Sequence, residues 1–175
     1  MLKLGLDTES LHLWFQNKRM DIFGFIEKAH ELGFDGVMIN ILKDYNLDPE
    51  WGTLMNNDPA HLKRVRDLLE SYHMYAELAT KGITKEHLLK GLDVAEALAA
   101  DIIRTYIPIT LNPLASRATG GEGKYDQAKV RGDFDPAVFD EAAMSLRQII
   151  PELKKRRIRL ALENHEYETS DELTA

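Results

Sequence analysis

Short β-like runs alternate strictly with longer helix-like runs along this chain, and that alternation limits its fold more than any other feature. Strand signals fall at residues 2–7, 36–41, 74–79, 102–107 and 158–163. Amphipathic patterns separate them. Ile22, Phe25, Ile26, Ala29 and Leu32 share one face of a helix over 21–32 that Gly33 ends. Asp58-Pro59 places a cap before a proline at the first helical position, leading into Leu62, Val65, Leu68 and Leu69. Thr84 can cap a helix carrying Leu88, Leu92, Ala95 and Ala99. Asp135-Pro136 opens another through Val138, Ala142, Leu146 and Ile149, with a kink expected at Pro151. Strands and helices in strict turn predict the α/β class, with a parallel sheet and right-handed crossovers. Five strands fit either a complete doubly wound sheet or part of an eight-stranded barrel.

A length of 175 residues fits one domain, and 44% apolar residues are enough to build its core. The net charge of −7 disfavours nucleic acid or an anionic membrane as partner, because both reward positive charge. Without cysteine there is no disulfide, thiolate nucleophile or cysteine zinc site, which agrees with a reducing compartment. Charge interrupts the opening residues 1–7 too soon for a signal peptide. No apolar run reaches the roughly 18 residues of a membrane span. A soluble, cytoplasmic protein is expected, with a small-molecule partner. A homo-oligomer is compatible with this sequence, which is nearly silent on the point.

No glycine-rich nucleotide loop follows the first strand, which weakens a dinucleotide reading. Residues 119–124 (Thr-Gly-Gly-Glu-Gly-Lys) resemble a phosphate loop only faintly. Their first glycine is misplaced, Tyr125 follows the lysine, and no strand feeds them. The long connection over 108–135 has the length of a lid or binding loop. Near the end, Thr169-Ser170-Asp171-Glu172 has the chemistry of a helix start. A last strand left there would expose an unpaired edge, so the expectation is a barrel incomplete at Ala175.

Period-two reasoning locates the candidate site. In the last strand Ile158, Leu160 and Leu162 share the face suited to helices, and Arg159, Ala161 and Glu163 share the other. The same division sets Asp7 opposite Leu6, Asn40 opposite Ile39, Glu77 opposite Ala76 and Leu78, and Arg104 with Tyr106 opposite Ile103, Thr105 and Ile107. Asp7, Asn40, Glu77, Arg104 and Glu163 then converge on one mouth at the carboxyl ends of the strands. Structural readings stand beside this one. Glu77 and Arg104 could form an ion pair between neighbouring strands, and Asp7 and Asn40 could serve as turn or cap residues. An inward carboxylate followed directly by Asn164 and His165 has the stronger claim to function. His30, His61 and His87 fall on helices and are expected on solvated faces, while His73 is a loop residue. His12 lies after the first strand beside Trp14 and Phe15, and these aromatics, like Trp51, suit sugar stacking or loop packing equally. Lys154-Lys155-Arg156-Arg157 is explained by the dipole at a helix end.

The residues Leu4-Gly5-Leu6-Asp7, the joint Glu31-Leu32-Gly33-Phe34-Asp35-Gly36-Val37, and above all Leu160-Ala161-Leu162-Glu163-Asn164-His165 carry a family likeness. The chain resembles the sugar phosphate isomerase/epimerase family of xylose isomerase-like barrels over its whole length. The resemblance implies a (β/α)8 TIM barrel, of which this chain supplies about the first five strand–helix units. It also implies a divalent metal at the mouth, manganese or magnesium first, cobalt or zinc otherwise. Glu163 matches the family's first metal-binding glutamate. The other ligands implied are an aspartate, a histidine and a second glutamate from later strands. The implied chemistry is isomerisation or epimerisation of a sugar by proton abstraction next to a carbonyl, through a metal-stabilised enediolate. Glu163 would serve as metal ligand and base. His165 and Glu77 would contact substrate or support the ligands, Arg104 could hold a substrate carboxylate or phosphate, and Asn40, Asp7, His12 and Tyr106 complete the candidate substrate contacts.

Relatives with the same barrel group suggest alternatives. One is decarboxylation of an oxo sugar acid in the manner of 3-oxo-isoapionate decarboxylase. Abasic-site endonucleases rank low, since Asn40 and Glu77 stand at the strand ends where those enzymes carry histidines. A noncatalytic barrel without metal is the remaining reading.

Overall fold

Five parallel strands lie side by side in the order in which the chain makes them, β1-β2-β3-β4-β5. They are β1 (Gly5–Asp7), β2 (Gly36–Asn40), β3 (Tyr75–Ala79), β4 (Ile102–Tyr106) and β5 (Arg159–Glu163). The computed structural model describes residues 2–41, 58–107 and 137–164. The 108–135 connection, the 119–124 loop, Trp51, the Asp135-Pro136 helix start, His165 and the 169–172 helix start lie outside the described residues.

Helices α2 (Ile22–Glu31), α3 (Pro59–Ser71), α4 (Lys85–Leu98) and α5 (Ala137–Arg156) connect the strands, and Pro151, where a kink was expected, lies inside α5. The caps read from sequence form: the Asp58 side chain accepts from the His61 N–H and Thr84 from the His87 N–H, and Asp21 caps α2 in the same way by accepting from the Gly24 N–H. Two elements were not foreseen. Asp7 accepts from the Glu9 N–H and starts a 3-10 turn over Thr8–Leu11, which runs into a short helix α1, His12–Gln16. A five-residue helix is too short for apolar periodicity to announce it. Strand β1 is shorter than expected because the Asp35 carboxylate takes the Leu4 N–H at 2.9 Å.

Among the described residues four helix-to-strand joints share one device. Gly33, His73, Ala99 and Arg157 each adopt a left-handed backbone, with φ of 80°, 54°, 54° and 58°. The next N–H in each joint then reaches back to a carbonyl five residues earlier: Phe34 to Ala29, Met74 to Leu69, Ala100 to Ala95, and Ile158 to Leu153, all at 2.9–3.0 Å. These bonds satisfy carbonyls that a helix end otherwise leaves bare.

The face division predicted for the strands holds. Val37, Ile39, Ala76, Leu78, Ile103 and Thr105 are buried on the helix side, where the apolar five join Ile22, Phe25, Ile26, Val65, Leu88 and Leu92 in one core. Helix α4 approaches β4 closely at Gly91, where a Cβ would stand 2.6 Å from Ile103 Cδ1. The opposite face is polar at its carboxyl edge and glycine-lined at its floor. There Gly5, Gly36 and Tyr75 stand in register, and the tyrosine ring fills the space that a Gly36 side chain would need. Burial, then the negative charges of Glu77 and Asp35, push the Tyr75 hydroxyl above its ordinary pKa.

The histidine expectations need correction for His61 and His87, while His30 is exposed as expected. His30 stacks on Tyr72 with centroids 4.0 Å apart. His61 meets the Phe23 ring edge-on and buries its Nε2. His87 turns back to Thr80, with Nε2 and Oγ1 2.7 Å apart. Packing against neighbouring elements leaves the His61 and His87 side chains only partly solvated. Arg156 also does more than answer a helix dipole: it binds Asp93 at 2.6 Å and Glu96 at 2.8 Å on α4.

Candidate active site

The carboxyl ends of β1, β2, β4 and β5 deliver one connected set of polar side chains. Thr8, buried just past β1, accepts the Asn40 backbone N–H at 3.1 Å and its Nδ2 at 3.0 Å. Asn40 Nδ2 also donates to Asp7 Oδ1 at 2.9 Å. The other Asp7 oxygen faces Arg104 Nη2 at 3.8 Å. On its far side, Arg104 Nη1 donates to Glu163 Oε1 at 3.2 Å. Arg104 therefore sits between two carboxylates, one from the adjacent strand β5 and one from β1. The side chains of Arg104, Asp7 and Glu163 are only 29–31% exposed, so solvent and salt screen these charges less than they would at an open surface.

Asp7, Asn40, Arg104 and Glu163 are thus brought together as the face argument expected. The supposed Glu77–Arg104 pair is not. Register explains the difference: Arg104 stands beside Ala79, two residues further along β3 than Glu77. Glu77 lies a layer deeper, beside Met38. It makes no hydrogen bond or ion pair with the described residues. Tyr106 is buried beside Glu163 in the pairing of β4 and β5, with Lys81 Nζ 5.7 Å from its ring centre. His12 opens α1, its Nδ1 held 2.8 Å from the Glu9 carbonyl. Trp14, beside it, is 51% exposed.

Sequence reasoning missed Thr8 and the Thr80–His87 pair. A hydroxyl residue directly after a strand end is the signal that marks both threonines. A groove of about 700 Å3 lies elsewhere, on the outer helical layer between α3 and α4. Its Lys63–Asp67 and Arg66–Glu70 ion pairs satisfy one another.

Two solved structures share this arrangement of strands and helices. A D-psicose 3-epimerase structure determined in the presence of D-fructose gives a TM-score of 0.62 at 14% identity, covering 96% of this chain and 55% of that one. D-psicose 3-epimerase from Clostridium cellulolyticum H10 with D-tagatose gives a TM-score of 0.62 at 14% identity, over 98% of this chain and 57% of that one. The chain has the fold of a partial TIM barrel. It spans little more than half the length of these barrel proteins. No family model matches the sequence, and no curated protein does. In a TIM barrel the carboxyl edge of the strands is where active sites are built, and the Asp7–Arg104–Glu163 cluster occupies that edge here. Among the described residues no helix is long and apolar enough to cross a membrane.

The barrel's implied metal can be tested against the donors present. Glu163 offers hard carboxylate oxygens, the donor type that manganese and magnesium take. Among the described residues no three His, Asp or Glu side chains form a metal-binding group. Glu163 is by donor type a suitable single ligand, and the described residues form no coordination set around it.

Proposed function

We propose that the protein is a sugar isomerase or epimerase in which Glu163 exchanges a proton with the carbon next to a ketose carbonyl. The observation that carries this reading is the inward Glu163 carboxylate at the carboxyl end of β5, hydrogen-bonded to Arg104, in a fold shared with two epimerase structures. As a carboxylate, Glu163 accepts the carbon-bound proton; as the resulting carboxylic acid, it can return it. Return to the other face or to the neighbouring carbon gives an epimer or an isomer, and a second carboxyl group on the opposite side serves inversion. Glu77 is a candidate for that role on the same inner face. Tyr106 and His12 are proposed to contact the sugar, and His165 is proposed as a further contact. A divalent cation, manganese or magnesium by donor type, would polarise the sugar's carbonyl and hydroxyl oxygens when bound.

The test is proton exchange in heavy water. The protein is incubated with D-fructose, D-tagatose or D-psicose, with and without added Mn2+ or Mg2+. Deuterium at the carbon next to the carbonyl and a new ketose product are expected with the wild type and absent with Glu163→Gln. A wild type that neither labels nor converts any of the three sugars would rule the reading out for these ketoses. Undiminished exchange by Glu163→Gln would remove Glu163 from the chemistry.

A further inference from the structure

We propose that Asn40 and Asp7 are positioning residues that fix Arg104, and that Arg104 in turn fixes the Glu163 carboxylate. The inference deepens the proposed proton-transfer role of Glu163 and rests on that reading for its kinetic consequence, though not for its structural one.

Each member of the series is held by the one before it. Thr8 is 1% exposed and receives two N–H groups of Asn40, one from the backbone and one from the side chain. The Asn40 amide is thereby turned so that its Nδ2 also meets Asp7 Oδ1. That same Asp7 oxygen takes the Glu9 N–H at 2.9 Å, so two donors from different elements set the plane of the carboxylate. Its second oxygen is left facing Arg104 Nη2. A guanidinium is planar, with its N–H groups in a rigid fork. Drawing one arm toward Asp7 therefore aims the other, and Nη1 lies 3.2 Å from Glu163 Oε1.

A free arginine at the mouth would invite an anionic substrate group. Arg104 is not in that condition, since it already lies between two carboxylates from opposite sides. Its long side chain loses its rotamer freedom in the folded protein instead of on substrate arrival. A base held in this way meets its substrate in a reactive geometry, and misplacement by about 1 Å can cost on the order of 100-fold in rate.

The test uses crystal structures and steady-state kinetics of the full chain carrying Asp7→Asn, Asn40→Ala, Arg104→Met or Arg104→Lys. Asp7→Asn keeps an oxygen for the Glu9 and Asn40 N–H groups and replaces the charged acceptor facing Arg104 with an uncharged N–H donor. In Asp7→Asn and Arg104→Met crystals the Glu163 carboxylate is expected to move by about 1 Å or to split between rotamers. With whichever ketose the wild type converts, kcat is expected to fall by on the order of 100-fold in Arg104→Met, with KM within about threefold, and Arg104→Lys to recover part of the loss. Asn40→Ala should lower kcat in the same sense and add little to Asp7→Asn, because both act through one path. An unmoved Glu163 in Asp7→Asn and Arg104→Met would overturn the proposal. So would a raised KM for a sugar acid with kcat unchanged, which would make Arg104 a substrate anchor. If Arg104→Met does not fold, Asp7→Asn decides alone. A wild type inactive on every ketose would sink the functional reading, while the crystals would still judge the positioning.

Discussion

Tyr75 rests on the bare backbone of Gly36. The two are register partners at the floor of the inner face, and the ring carbons of Tyr75 take the place of any Gly36 side chain. A hydroxyl of the same tyrosine would lie 2.7 Å from a Cβ on Gly5. Gly36→Ala is therefore expected to cost about 1–3 kcal/mol through overpacking. Removing the ring should relieve the conflict, so urea melts of Gly36→Ala, Tyr75→Ala and the double variant should show a combined cost below the two single costs added together.

The same tyrosine gives the fold an alkaline weakness. Burial, followed by Glu77 and Asp35, raises the Tyr75 hydroxyl above the ordinary value of 10.0. The folded state then holds its proton at pH values where the unfolded chain has released it. Stability is full below about pH 10 and falls as pH climbs toward the raised folded value. Tyr75→Phe is expected to flatten that part of a stability–pH curve measured by denaturant titration. An alkaline limb unchanged by the substitution would assign the loss elsewhere.

Gly33 and Ala99 make the same backbone turn at opposite cost. No atom lies within 4 Å of a Cβ built on Gly33, so Gly33→Ala should cost about 1 kcal/mol from its φ of 80° alone. Ala99 already bears that strain at φ 54°. Ala99→Gly is expected to be neutral or to stabilise by up to about 1 kcal/mol, since relief of strain competes with the greater freedom of glycine when unfolded. Thermal melting of the two variants should show shifts of opposite sign, or a loss against no change.

Arg156 joins α5 to α4 through Asp93 and Glu96 and returns to Glu152 on its own helix, with only 15% of its side chain exposed. The Asp93 hydrogen bond is the main reason its pKa is raised further, opposed by desolvation. Arg156→Met should cost about 1–2 kcal/mol, and Arg156→Lys should recover less than half, because a lysine cannot present several N–H groups in fixed directions. High salt should narrow the gap between wild type and variant.

Glu163→Gln should lower ketose turnover by about 100-fold or more while leaving the melting temperature within a few degrees, because the amide keeps an oxygen for the Arg104 N–H. A parallel fall in both would recast Glu163 as a structural partner of Arg104.

How much of this was readable from sequence varies with the kind of information needed. Which face each side chain takes follows from period two within a strand, and Val37, Leu78 and Ile103 went outward while Asp7, Arg104 and Glu163 went inward. Which residues meet across strands depends on register, and period two says nothing about it. Period two therefore leaves a Glu77–Arg104 pair open, and register decides against it, because Ala79 is the lateral partner of Arg104. The joints divide in the same way. Gly33 announces its turn because glycine prefers it, whereas His73, Ala99 and Arg157 adopt a left-handed backbone only because the packed helix and strand require it. His87 was misread for a related reason, since its partner Thr80 lies on another element at the strand edge.

Those joints differ in one respect. Gly36 and Ile102 stand three residues after their left-handed residues, while Tyr75 and Arg159 stand two residues after theirs. All four are aligned on the same inner face. Even and odd strands consequently enter the sheet half a pleat apart, and the natural module of this chain is a pair of units. Exchanging the β2 unit with the β4 unit, cut at residues 33 and 99, would keep every inward residue inward. Exchanging β2 with β3 would turn the strand over and deliver apolar side chains to the mouth.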